Sequence, residues 1–105
     1  MNNKLSIQLI KELEINPDQN QRALAVRCNV SLGSVHYCLM ALINKGYVKA
    51  RNYKNSQNKL AYSYILTPTG LGIKKKLIIQ FLKRKQLEYE KLQQEINILK
   101  KDLDS

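Results

Sequence analysis

The most informative absence in this sequence is that of acidic residues from position 19 to position 87. All eight Asp and Glu residues lie outside this acid-free stretch, whereas thirteen of the eighteen Lys and Arg residues lie within it. The formal net charge of +10 is therefore concentrated in the middle of the chain. So uneven a distribution indicates a polyanionic partner, and nucleic acid is favoured over an acidic membrane surface.

Cysteine, histidine and long apolar runs are scarce as well, and each scarcity excludes a class of protein. One histidine and no C-x-x-C pair argue against structural zinc. The two cysteines, Cys28 and Cys38, suit buried thiols in a reducing compartment better than a disulfide framework. The longest apolar run, Cys38 to Ile43, is far too short for a membrane span, and the N-terminus lacks the apolar segment of a targeting peptide. We therefore expect a cytoplasmic protein with no membrane segment, metal or other cofactor.

No pattern of residues indicates an enzyme. The sequence has no Ser-His-Asp or Cys-His arrangement, no phosphate-binding loop and no paired carboxylates in an apolar setting. Its acids lie only toward the two ends of the chain. Binding functions are therefore favoured over catalysis.

The stretch from Ser31 to Val48 is the most informative one present. Its apolar residues recur at helical spacing and predict one buried stripe, made of Val35, Leu39, Leu42 and Ile43. Ser31 is placed to cap the start of this helix, and Gly46 to end it in the left-handed conformation. The opposite face is small and polar, without an acid to repel a phosphate. Such a helix fits a DNA major groove, and an ordinary surface helix is the alternative.

Two further helices are predicted before this one. Leucines repeat every four residues from Asn3 to Ile15, and Asn16-Pro17 ends that helix. A second helix begins after Asn20, which is a good N-cap. The three-residue break 29–31 then separates it from the next helix. This spacing predicts a helix-turn-helix motif.

After Gly46 the apolar period changes from 3.6 to 2, which predicts a β-hairpin. A short strand at 47–51 is followed by turn-forming and basic residues at 52–59, and then by a strand from Leu60 to Leu66. A basic hairpin after a recognition helix is typical of a wing. Its cations Arg51, Lys54 and Lys59 would reach phosphates or the adjacent minor groove, although simple solvation is the alternative for each.

The last element is predicted to be one long helix, opened by Thr67-Pro68 and unbroken as far as Leu103. Alternating spacings of four and three residues define a seam of Ile78, Leu82, Lys85, Tyr89, Leu92, Ile96, Leu99 and Leu103. A winged domain at 1–70 cannot cover this seam, so we expect 71–105 to be a dimerisation helix. The flanking positions favour parallel pairing weakly, because that would set Glu95 against the partner's Lys100.

The order of these pieces resembles that of MarR-type winged-helix regulators. The segments GSVHYCLMALINKGYVK, RNYKNSQNKLAYSYILTPTG and FLKRK are similar to those of the bacterial group called EPS-associated (exopolysaccharide-associated) transcriptional regulators. The resemblance covers roughly residues 5–98. The resemblance implies a winged helix-turn-helix fold, and the link to exopolysaccharide genes comes with the name. Ligand-sensing relatives flank the DNA-binding domain with helices on both sides, which form an effector pocket. This chain has little on its N-terminal side, which argues against a small-molecule effector.

Together these patterns predict a mainly α fold with a small β-hairpin, in which a winged helix-turn-helix precedes a long coiled-coil helix. The expected function is sequence-specific binding of double-stranded DNA by a homodimer, with recognition helices in successive major grooves about 34 Å apart. A coiled-coil adaptor whose winged domain does not read DNA is the alternative. The acid-free stretch counts against an adaptor, because a protein interface does not need thirteen uncompensated cations.

Specific residues can be assigned to each expected role. Ser34, His36 and Tyr37 are expected to read bases, because Val35 and Leu39 point inward; plain exposure on the helix is the alternative for His36. Phosphate contacts are expected at the start of the second helix, where exposed N–H groups gather. The expected DNA-binding residues are Gln21, Arg22, Ser31, Gly33, Ser34, His36, Tyr37, Arg51, Lys54 and Lys59. The expected dimerisation residues are Ile78, Leu82, Tyr89, Leu92, Ile96, Leu99 and Leu103.

Overall fold

The computed structural model describes residues 3–54, 57 and 60–105, and these residues form four helices and one two-stranded sheet. In chain order the elements are α1 (Asn3–Ile15), α2 (Gln21–Cys28), α3 (Leu32–Asn44), β1 (Val48–Lys54), β2 (Leu60–Leu66) and α4 (Pro68–Asp104). The molecule measures 72 Å along its longest axis, because α4 continues well beyond the other elements. The predicted fold class is confirmed.

Helices α2 and α3 begin at the residues expected to cap them. The side chain of Asn20 accepts a hydrogen bond from the Ala23 N–H at 2.8 Å, and that of Ser31 accepts one from the Ser34 N–H at 3.1 Å. Each cap of this kind is worth about 1 kcal/mol. Asn29 ends α2 with a positive φ of 55°, and the chain bends by 109° into α3. This bend is within the range of helix-turn-helix motifs.

The main core lies where α1 crosses α2 and α3. Its buried members are Leu5, Leu9, Leu13, Leu24, Ala25, Cys28, Val35, Cys38, Leu39, Leu42, Val48 and Tyr64. Full burial of each leucine contributes roughly 1.5–3 kcal/mol. The inward faces predicted for the first three helices are therefore confirmed, and this core fixes which face of α3 remains outside.

The hairpin is longer than its sequence pattern suggests. Strands β1 and β2 pair antiparallel from Val48 opposite Leu66 to Lys54 opposite Leu60. The expectation that β1 ends near Arg51 was wrong, because pairing with β2 overrides the turn preference of the residues that follow Arg51. The Tyr64 N–H on the other edge of β2 donates to the Pro17 carbonyl at 2.9 Å. This bond attaches the hairpin to the loop between α1 and α2.

The start of α4 is fixed to the end of α3. Thr67 caps α4, and its hydroxyl also donates to the Gly46 carbonyl at 2.5 Å. The Thr67 N–H donates to the Tyr47 carbonyl at 3.1 Å. Gly70 packs so closely on the same peptide that a Cβ there would overlap the Tyr47 carbonyl oxygen. Only glycine allows this approach.

The first turns of α4 pack against α1, and the rest of the helix is uncovered. Leu77 is buried against Ile7 and Ile10, with Ile73 and Phe81 partly buried beside them. Every residue after Phe81 is exposed. The α4 side chains that pack against α1 therefore lie on a different face of the helix from the predicted seam. Among the described helices, none alone is long and apolar enough to span a membrane, and only the bent pair α2–α3 reaches that length and composition.

Candidate nucleic-acid interface

Helix α3 presents an uncharged surface, which we call the reading face. Because Val35, Leu39 and Leu42 are fully buried, the opposite side of the helix faces solvent. The reading face consists of Leu32, Gly33, Ser34, His36, Tyr37 and Met40, all of them exposed. Tyr37 is 78% exposed, which leaves its hydroxyl free to reach a neighbouring molecule. The predicted outward position of Ser34, His36 and Tyr37 matches this geometry.

The serines at the start of α3 bind each other. The hydroxyls of Ser31 and Ser34 lie 2.8 Å apart, in addition to the cap that Ser31 provides to the Ser34 N–H. Ser31 is exposed, and its hydroxyl also stabilises the first turn of the helix. Apart from its chain neighbours and the adjacent backbone of its own helix, no described residue has an atom within 4 Å of the position that a Cβ would take at Gly33. The backbone here is open to close approach by a large ligand.

His36 is held by a hydrogen-bonded chain that runs across three elements. Its Nδ1 lies 3.2 Å from the Gln21 Oε1 on α2, and the Gln21 Nε2 donates to the Tyr64 hydroxyl on β2 at 3.3 Å. With the amide oriented in this way, the Gln21 oxygen accepts the Nδ1–H of the imidazole. In the tautomer that carries its proton on Nδ1, Nε2 is an acceptor, which matches the exocyclic amine donors of adenine and cytosine. Gln21 thus positions the imidazole, a role that its place in the sequence did not indicate.

Exposed cations lie on the two elements that precede and follow α3 in the chain. Arg22 is exposed on the first turn of α2, and Arg51 is exposed on β1, where it pairs with Ser63. Lys49 is a third exposed cation, on the same strand. The backbone of Lys54 belongs to β1, but its side chain lies outside the described residues, as does all of Lys59. The wing contacts expected of these two lysines remain predictions.

Folding brings acids onto part of the acid-free stretch. Glu12 binds Arg27 at 2.6 Å, and Glu14 binds Lys74 at 3.1 Å. Lys85 forms a third pair with Glu88, also at 3.1 Å. The expectation of thirteen uncompensated cations was therefore wrong, because three of them have carboxylate partners in space. The acids of these pairs lie on α1 and α4, and none of the pairs involves Arg22 or Arg51.

Two features of the site region lay outside the sequence-based expectations. Leu32 is exposed one helical turn before His36, and its four-residue spacing from His36 was the signal that could have placed it on the reading face. Behind α3, the Cys38 thiol lies 3.2 Å from the Ser6 hydroxyl. Burial raises the pKa of Cys28 and Cys38, so both thiols stay protonated at neutral pH. Within the described ranges, no three His, Cys, Asp or Glu side chains converge as a metal site requires.

Comparison with known protein families gives the same architecture. The family described as winged helix-turn-helix DNA-binding matches residues 2–49, which run from the first helix into β1. No curated protein sequence matches significantly. The match therefore covers the helix-turn-helix and the beginning of the wing.

Solved structures of MarR-family regulators resemble the chain over a longer range. The MarR-family transcriptional regulator from Silicibacter pomeroyi has a TM-score of 0.55 at 19% identity, covering 70% of this chain and 48% of its own. BldR from Sulfolobus solfataricus gives 0.59 at 20%, covering 90% and 70%. PcaV from Streptomyces coelicolor, solved with its natural ligand, gives 0.62 at 14%, covering 100% and 75%. The chain thus spans less than half of the first regulator's length, and likeness at such identity establishes the winged helix-turn-helix fold.

Proposed function

We propose that the protein is a MarR-like transcriptional regulator that binds double-stranded DNA as a homodimer. The observation that carries this proposal is the uncharged, exposed reading face of α3, on a molecule whose neighbouring elements α2 and β1 carry exposed arginines. A helix that avoids acids, offers hydroxyl and imidazole groups and is flanked by cations suits a major groove. The winged helix-turn-helix fold, shared with MarR-family transcriptional regulators, supports the same function.

The contacts divide into base readout and phosphate anchoring. Ser34, His36 and Tyr37 read base edges through hydrogen bonds, and Leu32 suits a thymine methyl group. Arg22 and Arg51 neutralise phosphates on the two sides of the groove, with Lys54 and Lys59 as further anchors from the wing. The readers decide which sequence is bound, and the anchors supply most of the binding free energy.

Dimerisation is supported by the exposed seam of α4. Leu92, Ile96 and Leu99 are apolar and yet between 42% and 64% exposed. No described residue packs over this side of the helix, so a single copy of the chain does not explain why these positions are apolar. A second copy that covers this seam would bring two reading faces to one DNA molecule. The two faces then contact major grooves of an inverted repeat whose half-sites are separated by a whole number of helical turns.

The direct test is a gel shift with the cognate fragment over a series of salt concentrations. A dimer that touches roughly 6–10 phosphates loses about a thousandfold or more in affinity between 50 and 200 mM salt. The variant Arg22→Ala with Arg51→Ala should lower the slope of the log–log plot by about one unit per phosphate contact removed. A nearly flat plot for the wild type would contradict DNA binding.

Selection of bound fragments from the host genome separates the two candidate functions. A regulator enriches inverted repeats. The coiled-coil adaptor, which is favoured only by the exposed seam, forms a dimer without enriching any fragment. The resemblance of the sequence to EPS-associated regulators carries the narrower proposal that the enriched fragments include exopolysaccharide genes. Enrichment of unrelated genes alone would contradict that narrower part and leave DNA binding intact.

A further inference from the structure

The seam of α4 contains one charged residue, and that residue determines how two copies can meet. Lys85 is exposed, with its Nζ 3.1 Å from a Glu88 oxygen and 5.3 Å from the centre of the Phe81 ring. The other seven seam positions are apolar or aromatic. A single lysine in an otherwise apolar seam specifies register and orientation, because it must find a compatible neighbour in the paired helix.

A parallel, in-register pair gives Lys85 an unsuitable neighbour. In that arrangement each seam residue meets its own copy, so two lysine ammonium groups would share one layer of the interface. Like charges placed side by side in this way oppose association strongly. The pair that favours parallel helices, Glu95 with the partner's Lys100, lies at the exposed edge and contributes little.

We infer that α4 pairs with α4 of a second copy in the antiparallel orientation, and that the C-terminal end of each copy docks beside α1 of the other. This inference rests on the proposed homodimer and specifies its geometry. In this orientation every seam residue faces a seam residue of the partner helix. Ile78 meets the partner's Leu103, Leu82 the partner's Leu99, Lys85 the partner's Ile96, and Tyr89 the partner's Leu92.

The antiparallel register also resolves the charges around Lys85. The lysine lies beside an isoleucine of the second copy and next to the partner's Glu95. Glu88 approaches the same partner carboxylate across the edge of the seam, and these two carboxylates by themselves would repel each other. Because Lys85 already binds Glu88 at 3.1 Å, its ammonium group lies between the two carboxylates and compensates both.

The distribution of charge along α4 has the same orientation preference. Residues 71–87 contain six Lys and Arg and no acid, whereas 88–104 contain five acids and three lysines. A parallel pair places the basic segments together. An antiparallel pair places the basic segment of each copy on the acidic segment of the other, which favours association at long range as well as in contact.

A groove at the other end of the seam fits the end of the partner helix. It is a shallow cleft of about 280 Å³ between α1 and α4, lined by Lys4, Ile7, Gln8, Lys11, Ile78 and Phe81. The antiparallel register delivers the partner's Leu103 to the apolar floor at Ile78. It delivers the partner's Asp102 to the Phe81 side, where α1 provides its lysines. Apolar contact and opposite charge thus coincide at this groove.

Cysteine cross-linking in the full chain tests the orientation. Leu82→Cys and Leu99→Cys are prepared as separate variants and oxidised mildly, alone and as an equal mixture. In the antiparallel pair the two positions face each other, so only the mixture forms a disulfide-linked dimer. Wild type is the control, since Cys28 and Cys38 are buried and should not cross-link.

Each outcome of this experiment has a distinct meaning. A cross-linked dimer from either variant alone shows parallel helices and overturns the inference. A wild type that sediments as a dimer, with no cross-link in the mixture, overturns the antiparallel register while the proposed homodimer stands. A wild type that sediments as a monomer overturns the homodimer itself.

A charge exchange tests the contact without new cysteines. Lys85→Glu alone should weaken dimerisation by at least about tenfold, because three carboxylates would then meet at one place. Adding Glu95→Lys should restore the dimer to within a few-fold of wild type. In a parallel pair the double variant would instead set the two introduced glutamates against each other and each introduced lysine beside the partner's Lys100, with no rescue. Lys91→Glu, which makes the same charge change on the outer face of α4, is the matched control and should leave dimerisation unchanged.

Discussion

Helix α1 and the outer part of α4, residues 82–104, carry the same kind of apolar pattern, but only the apolar face of α1 is buried. Leu9 and Ile10 of α1 are fully buried, whereas Leu92 and Leu99 of α4 are 54% and 64% exposed. Helix α1 lies between α2, α3 and the base of α4, which together cover its apolar face. The outer part of α4 extends beyond the other elements, and its residues are exposed. A helical apolar stripe therefore specifies that a face needs a cover, and the length of the helix decides whether the same chain can supply it.

The largest effect is expected when the uncovered helix loses its apolar character. Leu92→Asp with Leu99→Asp removes two buried side chains from each copy of the dimer, at roughly 1.5–3 kcal/mol per side chain. The double variant should sediment as a monomer in analytical ultracentrifugation and keep the helical circular dichroism of a folded winged domain. Its specific DNA affinity should fall steeply, since each half-site is then bound alone.

The matched control for that variant is Gln94→Asp with Lys101→Asp, which changes the outer face of the same turns. It should remain a dimer. If the seam variant also remains a dimer, the interface lies elsewhere, and the contrast between α1 and α4 has a different cause.

A smaller effect is expected when the covered helix is truncated. Leu9→Ala should lower the free energy of unfolding by about 2–5 kcal/mol, because it leaves a cavity in the main core. Leu92→Ala should leave unfolding of the isolated winged domain unchanged and weaken dimerisation instead. Chemical denaturation at two protein concentrations separates these effects, since only the seam variant changes the concentration dependence. Equal effects of both variants on domain unfolding would show that α4 is covered within one copy.

The smallest effect is expected at the reading face, where neither helix contributes directly. His36→Ala should cost about 1–3 kcal/mol on the cognate site and little on random DNA, because it removes a base contact. Arg51→Ala should weaken binding to both DNAs alike. Fluorescence anisotropy with the two probes measures the ratio. A histidine variant that weakens both equally would assign His36 to anchoring.

The sequence predicts the local part of this structure well and the long-range part poorly. The starts of α2 and α3 follow from Asn20 and Ser31, whose side chains cap the turns that immediately follow. The hydrogen-bonded chain from His36 through Gln21 to Tyr64 joins residues far apart in sequence, and no local pattern indicates it. Ion pairs between α1 and the acid-free stretch were missed for the same reason. Such contacts depend on how helices cross, which composition and spacing do not encode residue by residue.

The close approach of Gly70 to the Tyr47 carbonyl joins the start of α4 to the turn that follows α3. Thr67 adds hydrogen bonds to the Gly46 and Tyr47 carbonyls, so several contacts hold this junction. When α3 and α4 rotate together by about 5°, the tip of α4, a helix roughly 55 Å long, moves by about 5 Å. In the proposed homodimer, the angle at which the two copies cross along α4 therefore affects the angle at which their recognition helices enter DNA.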